Sequence, residues 1–247
     1  MKQEVIMGSA LEILRNIKNE SIQLVLTDLP YAITKNKWDC AIDLQKLWAE
    51  LLRIGVKNAI FAFTSSQPFT SKLVCSNIGM WKHEWVWIKN RGSNFANTVR
   101  EPFKEHETIQ IFSKGGWIYN KQMQERTGSG TDRVKYDFNQ NTESTNYNKF
   151  SGKQNIKQGN LRVPSSWQKF NTEVGLHPTQ KPVPLFEYLI KTYTNEGDLV
   201  LDCCAGSGTT GIACLKTNRQ FILVEKEKEY YDITIKRIED FKNGTKY

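Results

Sequence analysis

Four consecutive residues, Asp28-Leu29-Pro30-Tyr31, place an acid, a stiffened backbone and an aromatic ring directly after the apolar run Ile22 to Leu26. That combination suits chemistry on the exocyclic amine of a nucleobase. Such an amine is a poor nucleophile, because its lone pair is delocalised into the ring. Two acceptors for its N–H groups, the Asp28 carboxylate and the Leu29 carbonyl, would draw it toward tetrahedral geometry while a methyl group arrives in line. Pro30 removes a competing N–H and stiffens the turn. Tyr31 offers a ring face on which an extruded base can stack. Positioning and charge stabilisation then supply the rate, with no strong base needed before attack. The same tetrapeptide also reads as an ordinary β-to-α turn, which Asp and Pro favour in their own right.

A second stretch, Asp198 to Glu225, has the pattern of a nucleoside site. The apolar run Leu199 to Leu201 suits a buried parallel strand. Gly206, Gly208 and Gly211 follow at G-x-G-x-x-G spacing and open a helix over Thr209 to Lys216. The next apolar run, Phe221 to Val224, ends in Glu225, where a carboxylate can hold ribose hydroxyls. Asp202 stands where a pyrophosphate would meet the helix N-terminus. An anion there repels a dinucleotide and suits a cationic ligand, so the charges favour S-adenosylmethionine.

The elements that position these residues alternate strand and helix, which argues for an α/β domain with a parallel sheet and its ligands at the carboxyl ends of strands. Strands are expected at Glu4 to Met7, Ile22 to Leu26, Ala59 to Thr64, Trp81 to Lys89 (edge or antiparallel) and His106 to Ser113. Helices are expected at Leu11 to Ile17, Leu44 to Ile54, Pro68 to Ile78 and Val183 to Tyr193, with a last amphipathic helix over Lys226 to Tyr247. The polar segment Ala32 to Asp39 reads as a loop over the edge that carries Asp28, and Arg91 to Arg100 as another.

Ile118 to Val163 differs in composition, with twelve Asn or Gln and eight Lys or Arg against four Asp or Glu. Its polarity allows a disordered surface insertion. Aromatics interleaved with basic and amide residues suit a nucleic-acid contact element. Across the chain the formal net charge is +8 and the pI about 9.1, which suits a polyanionic partner. The five cysteines, Cys40, Cys75, Cys203, Cys204 and Cys214, lack paired metal spacing and read as reduced thiols of a cytoplasmic protein without a zinc site. No apolar run reaches the length of a membrane span, and no signal core is evident at the N-terminus.

Three motifs in order, Asp28 to Tyr31 (DLPY), His177 to Pro182 (HPTQKP) and Asp202 to Gly211 (DCCAGSGTTG), resemble the amino-group DNA methyltransferases, in the permuted β group. The likeness covers nearly all of the chain outside Ile118 to Val163. It implies a doubly wound, mostly parallel seven-stranded sheet with one antiparallel strand, S-adenosylmethionine as methyl donor and base flipping in double-stranded DNA. It assigns residues 1–117 to a catalytic half, 118–170 to a target-recognition insertion and 171–247 to the cofactor half. Asp28, Leu29, Pro30 and Tyr31 would handle the target amine. Asp202, Cys203, Ala205, Gly206, Ser207, Gly208 and Thr209 would surround the methionine part, Glu225 would hold the ribose, and Thr179 and Lys181 would lie near the methionine carboxylate. Expected nucleic-acid contacts are Lys35, Lys37, Trp38, Arg91, Asn94, Arg126, Arg133 and Lys135. A second copy of the chain and a cognate restriction endonuclease are further partners that the resemblance admits.

Two positions depart from the family pattern. Leu29 stands where proline is usual, and Gly8-Ser9 where Gly-Asp is common. In the family that the chain resembles, an aspartate opening the tetrapeptide is the habit for adenine N6 and serine is commoner for cytosine N4, so the resemblance implies adenine, with N4-cytosine as the alternative. A catalytically inactive nucleic-acid-binding protein and a dehydrogenase are the competing classes. The intact tetrapeptide counts against the first, and Asp202 with the short chain after the glycine loop against the second.

Overall fold

A computed structural model describes residues 2–31, 40–126 and 161–245. In chain order its elements are β1 (Gln3–Met7), α1 (Ala10–Leu14), β2 (Ile22–Thr27), α2 (Leu44–Ile54), β3 (Gly55–Ser65), α3 (Phe69–Ser76), β4 (Trp81–Ile88), β5 (His106–Ser113), β6 (Gln124–Glu125), β7 (Leu161–Arg162), β8 (Trp167–Lys169), α4 (Val183–Tyr193), β9 (Leu199–Asp202), α5 (Thr209–Lys216), β10 (Gln220–Glu225) and α6 (Lys228–Lys242). The chain divides into two compact units, Met1–Asn120 with Ser166–Tyr247, and Lys121–Ser165.

The first unit is a mixed α/β fold around one large sheet, ordered β1-β10-β9-β2-β3-β5-β4-β8 among the described residues. β1, β10, β9, β2 and β3 run parallel, and β5 is antiparallel to both of its neighbours. Strands from the two ends of the chain meet at β9 and β2, where Leu24 pairs with Val200 and Val25 with Leu201. Their carboxyl ends therefore lie side by side, and this pairing positions the site.

Period-two alternation explains the two layers of core. On β10, Phe221 and Leu223 face one core with Leu185, Phe186, Leu189 and Ile212, from α4 and α5. Ile222 and Val224 face the other, with Leu47, Trp48 and Leu51 of α2 and Leu73 of α3. α2 starts at Asp43, whose side chain accepts from the N–H groups of Gln45 at 3.0 Å and Lys46 at 3.1 Å, an N-cap.

Several boundaries differ from those expected. α1 stops at Leu14 because the Arg53 guanidinium takes the carbonyls of Leu14 at 2.7 Å and Ile17 at 2.9 Å, which satisfies the helix end early. α6 ends near Asn243-Gly244, where Gly244 has a φ of 72°. An eighth strand, β8, pairs in parallel with β4 from Val86 to Ile88. The sheet thus takes up residues 167–169 from the 118–170 segment and covers β4, whose alternation alone matches either an edge or an antiparallel strand.

In the second unit, β6 and β7 form an antiparallel pair, Gln124 opposite Arg162 and Glu125 opposite Leu161. The Gln124 side chain accepts from the Ser165 N–H at 3.1 Å.

Candidate functional site

A cavity of about 700 Å³ opens at the carboxyl ends of β2, β9 and β10. Its wall includes Asp28, Leu29, Pro30 and Tyr31 on one side and Asp202, Cys203, Ala205, Gly206, Ser207, Thr209 and Glu225 on the other, with Thr179 and Lys181 between. Two motifs from opposite ends of the chain thus line one space.

Asp28 follows the last residue of β2, and its carboxylate is tightly held. Oδ1 accepts from the Tyr31 hydroxyl at 2.9 Å and from the Thr64 hydroxyl, and Oδ2 accepts from Lys181 Nζ at 2.5 Å. Donors among the described residues fill three of about four lone-pair positions, which leaves one on Oδ2 that they do not use. Tyr31 stacks on Phe69, with ring centroids 5.0 Å apart and planes 21° apart. Burial, and then the Asp28 and Glu107 charges, hold its hydroxyl well above the usual phenol range, so it stays a neutral donor. Leu29 points into the core, where it is 2% exposed. A leucine stands in the tetrapeptide because its side chain fills the layer between β2 and α2.

The glycine loop is built by close approach. Gly206 and Gly208 have φ of 53° and 79°, conformations that other residues rarely adopt. A Cβ on Gly208 would come within 2.8 Å of Thr234 Cγ2, and one on Gly211 within 2.8 Å of a Leu223 methyl. A Cβ on Gly206 would meet only the His177 ring, no closer than 3.8 Å, so that face of the loop is open to the cavity. α6 holds the loop from behind. The Thr234 hydroxyl donates to the Gly206 carbonyl at 2.8 Å, and Arg237, 3% exposed, donates to the Ser207 carbonyl at 3.1 Å. Sequence reading passed over both residues, since a charged Arg at a helical surface spacing gives no sign that it points inward.

Asp202 ends β9 and ties the loop to α5. Its oxygens accept from the Cys204 N–H at 3.1 Å and from the Thr210 hydroxyl. Burial pushes its carboxyl up to about 6, against hydrogen bonds from Thr210, Thr27 and Cys204. Glu225 ends β10, and its two oxygens accept from the Gly206 N–H at 2.7 Å and the Glu227 N–H at 2.8 Å. The Lys226 N–H hydrogen-bonds to this carboxylate as well, so backbone donors take three of about four lone-pair positions and leave about one for a hydroxyl. Burial also raises this carboxyl.

Thr179 lies on the rim, its N–H and hydroxyl each 3.2 Å from His177 Nδ1. His177 packs edge-on against Tyr230 at 4.2 Å between centroids, and burial lowers its affinity for a proton. An Nδ1 that accepts from Thr179 leaves the neutral ring's proton on Nε2. Lys181 is buried, and its ammonium faces Asp28 and Glu107. Thr209, at the start of α5, donates to the Lys181 carbonyl at 3.1 Å and so links the two motifs through the backbone. Glu107, on β5, is a wall residue that sequence reading missed; it follows His106 in an unremarkable strand pattern.

Of the expected nucleic-acid contacts, Lys35, Lys37, Trp38, Arg133 and Lys135 lie outside the described residues. Arg91 is exposed on the loop that carries Ser93 and Lys104 to the cavity wall. Asn94 is spent within that loop. Its amide donates to Glu101 at 3.1 Å and to the Pro102 carbonyl at 3.0 Å, and its oxygen accepts from the Lys104 N–H at 2.7 Å. Phe95, beside it, is 82% exposed. Arg126 is half-buried in the second unit. Among the described residues, no group of three or more His, Cys, Asp or Glu is placed to hold a metal, and no helix is long and apolar enough to cross a membrane.

A family model described as DNA methylase, of the N6/N4 type, matches residues 22–236. The DNA adenine methyltransferase YhdJ of Escherichia coli (strain K12) is 30% identical over 95% of this chain and 82% of its own length. Among solved structures, the M1.HpyAVI–SAM complex is similar with a TM-score of 0.65 at 27% identity, over 95% of this chain and 98% of the other. The cytosine-N4-specific PvuII DNA methyltransferase shares the fold, with a TM-score of 0.67 at 17% identity, over 98% and 92%.

Proposed function

Since this chain belongs to the N6/N4 DNA methylase family, we propose that it transfers a methyl group from S-adenosylmethionine to the N6 amine of an adenine flipped out of double-stranded DNA. The observation that carries this reading is the shared cavity, with the Asp28 carboxylate and the open face of Gly206 on its wall.

S-adenosylmethionine supplies an electrophilic methyl group on a sulfonium. The wall matches its parts. Glu225 keeps lone-pair capacity for a ribose hydroxyl, and Asp202, ionised above about pH 6, supplies negative charge for a cationic ligand. The free lone pair of Asp28 Oδ2 would accept one N–H of the target amine and the Leu29 carbonyl the other. As the nitrogen gains positive charge, the adjacent carboxylate would stabilise it and, once the methyl group has moved and a neutral thioether is left behind, take the surplus N–H proton and pass it to solvent; its bonds from Tyr31 and Thr64 keep the reorganisation small. Tyr31 is already stacked on Phe69, so a base would stack on its other face, with the Lys181 ammonium 6.0 Å from the ring centre.

Methylation should be measured on unmodified duplex DNA, followed by digestion to nucleosides and mass spectrometry. N6-methyl-2′-deoxyadenosine as the product is the expected result. N4-methyl-2′-deoxycytidine alone would move the assignment to cytosine, and no methylated nucleoside at all would discard it.

A further inference from the structure

Behind Asp28 lies a row of alternating charges drawn from four separate parts of the chain. Asp28 Oδ2 accepts from Lys181 Nζ at 2.5 Å. The same ammonium is 3.3 Å from the Thr179 carbonyl and 3.5 Å from Glu107 Oε2. Glu107 Oε1 accepts from Lys89, whose ammonium also lies 4.9 Å from the Trp87 ring centre. Lys181 and Lys89 are each 7% exposed at the side chain and Glu107 14%. Glu107 Oε2 is buried and, among the described residues, has no donor at good hydrogen-bond length, only the long 3.5 Å contact from Lys181. Leaving a buried carboxylate oxygen without a donor is costly, so a buried acceptor kept open beside a cation invites an explanation.

Lys181 has three N–H donors and, in this arrangement, two close acceptors. Its tightest partner is the carboxylate that the proposed reaction needs. An ammonium held by Asp28 alone would compete with a target amine for Oδ2 and would oppose the positive charge that grows on that amine. Glu107 offers the same ammonium a second place. From 3.5 Å, a displacement of about 0.6 Å would bring it to a good hydrogen-bond length.

We propose that Glu107 is a positioning residue of the methyl-transfer site, the acceptor that draws the Lys181 ammonium off Asp28 Oδ2 when a target amine binds there. This rests on the proposed function. Burial works to raise the Glu107 carboxyl, and the Lys181 and Lys89 charges outweigh it, so the group stays ionised. Burial likewise works against the Lys181 charge, and Asp28 and Glu107 outweigh it in turn.

The test uses the full chain, duplex DNA and S-adenosylmethionine, with single-turnover rates for wild type, Glu107→Gln, Lys181→Met and the double variant. Glu107→Gln keeps the shape and removes the charge. Its transfer rate should fall about tenfold or more, while the Kd for S-adenosylmethionine and the KM for DNA stay within about twofold of wild type. In the Lys181→Met background the same change should add less than about a twofold loss, because the cation it acts on is gone. A merely structural Glu107 would lower Tm and leave the single-turnover rate of the folded protein untouched. That result, or losses that multiply in the double variant, overturns the proposal. Should Glu107→Gln fail to fold, Glu107→Asp retains the charge on a shorter arm; an intermediate rate supports the proposal and a wild-type rate overturns it. A wild type that methylates no DNA removes the proposed function instead, a separate outcome.

Discussion

Lys181 and Asp28 lie 153 residues apart in sequence and form a part-buried ion pair with Nζ 2.5 Å from Oδ2. The pair closes the back of the cavity where the strand tip from the first part of the chain meets the loop from the last. The Lys181 ammonium faces Asp28, and its backbone carbonyl accepts from Thr209 at the start of α5, so one residue ties the tip of β2 to the glycine loop.

Replacing Asp28 with Asn keeps the shape and weakens the acceptor. Methyl transfer should fall roughly 10²- to 10³-fold, as when a single electrostatic contact to a transition state is lost. The Kd for S-adenosylmethionine should hold, because Asp28 makes no hydrogen bond to the glycine loop in the structure. Radiolabelled methyl transfer beside calorimetry separates the two, and an unchanged rate would refute the role given to Asp28.

Glu225→Gln should act on cofactor binding. One oxygen becomes an N–H₂ group, and the variant loses charge and lone pairs toward the ribose while it faces the Gly206 N–H. The Kd should rise by about tenfold, corresponding to roughly 1.4 kcal/mol, with the single-turnover rate at saturating cofactor close to wild type. A normal Kd with a depressed rate would place Glu225 in the transfer step.

Cofactor affinity should depend on pH with a defined sign. Burial holds Asp202 up to about 6 and also raises Glu225. A bound cation and a hydroxyl donor favour the ionised forms, so both values drop on binding. Affinity is then full above the raised values and is lost as pH falls through about 6 toward the lower values of the complex. Calorimetry at about pH 7.5 and about pH 5 should show weaker binding at the lower pH, and Asp202→Asn should flatten the profile. Equal affinity at both would contradict the placement of the cation near Asp202.

Gly208→Ala tests the construction of the loop. At a φ of 79° alanine costs roughly 1–2 kcal/mol in backbone strain, and its Cβ would approach Thr234 Cγ2 to 2.8 Å. Tm should fall by several degrees, and adding Thr234→Ser, which removes that methyl and keeps the hydroxyl bond, should restore part of the loss. If the second change recovers nothing, contact with Thr234 is not what confines the loop.

Arg91 is exposed on a loop at the cavity wall and should contact phosphate. Arg91→Ala should weaken DNA binding about equally across sequences and reduce the salt slope of log K by about 0.9. Titrations at several salt concentrations measure this, and an unaltered slope would remove Arg91 from the interface.

Much of this arrangement was legible in residue order. The apolar runs of β2, β9 and β10 each end in the carboxylate or loop that lines the cavity, because a buried parallel strand delivers its next residue to the carboxyl edge of the sheet. What stayed hidden depends on tertiary approach. Glu107, Lys181 and Lys89 read as ordinary charged residues of a strand, a turn and a strand end, and only the sheet order makes them neighbours. Thr234 and Arg237 look like part of a charged helix face until the helix is laid behind the glycine loop. β8 escaped notice because three residues, Trp167, Gln168 and Lys169, are too few to show a period.

The most direct test of the whole account is a crystal structure of the protein with S-adenosylhomocysteine. The account predicts the ribose hydroxyls on Glu225, the amino-acid part beside the open face of Gly206, and the sulfur facing the Asp28 carboxylate with space between them for a methyl group and an amine. A ligand bound elsewhere, or one whose sulfur points away from Asp28, would contradict it.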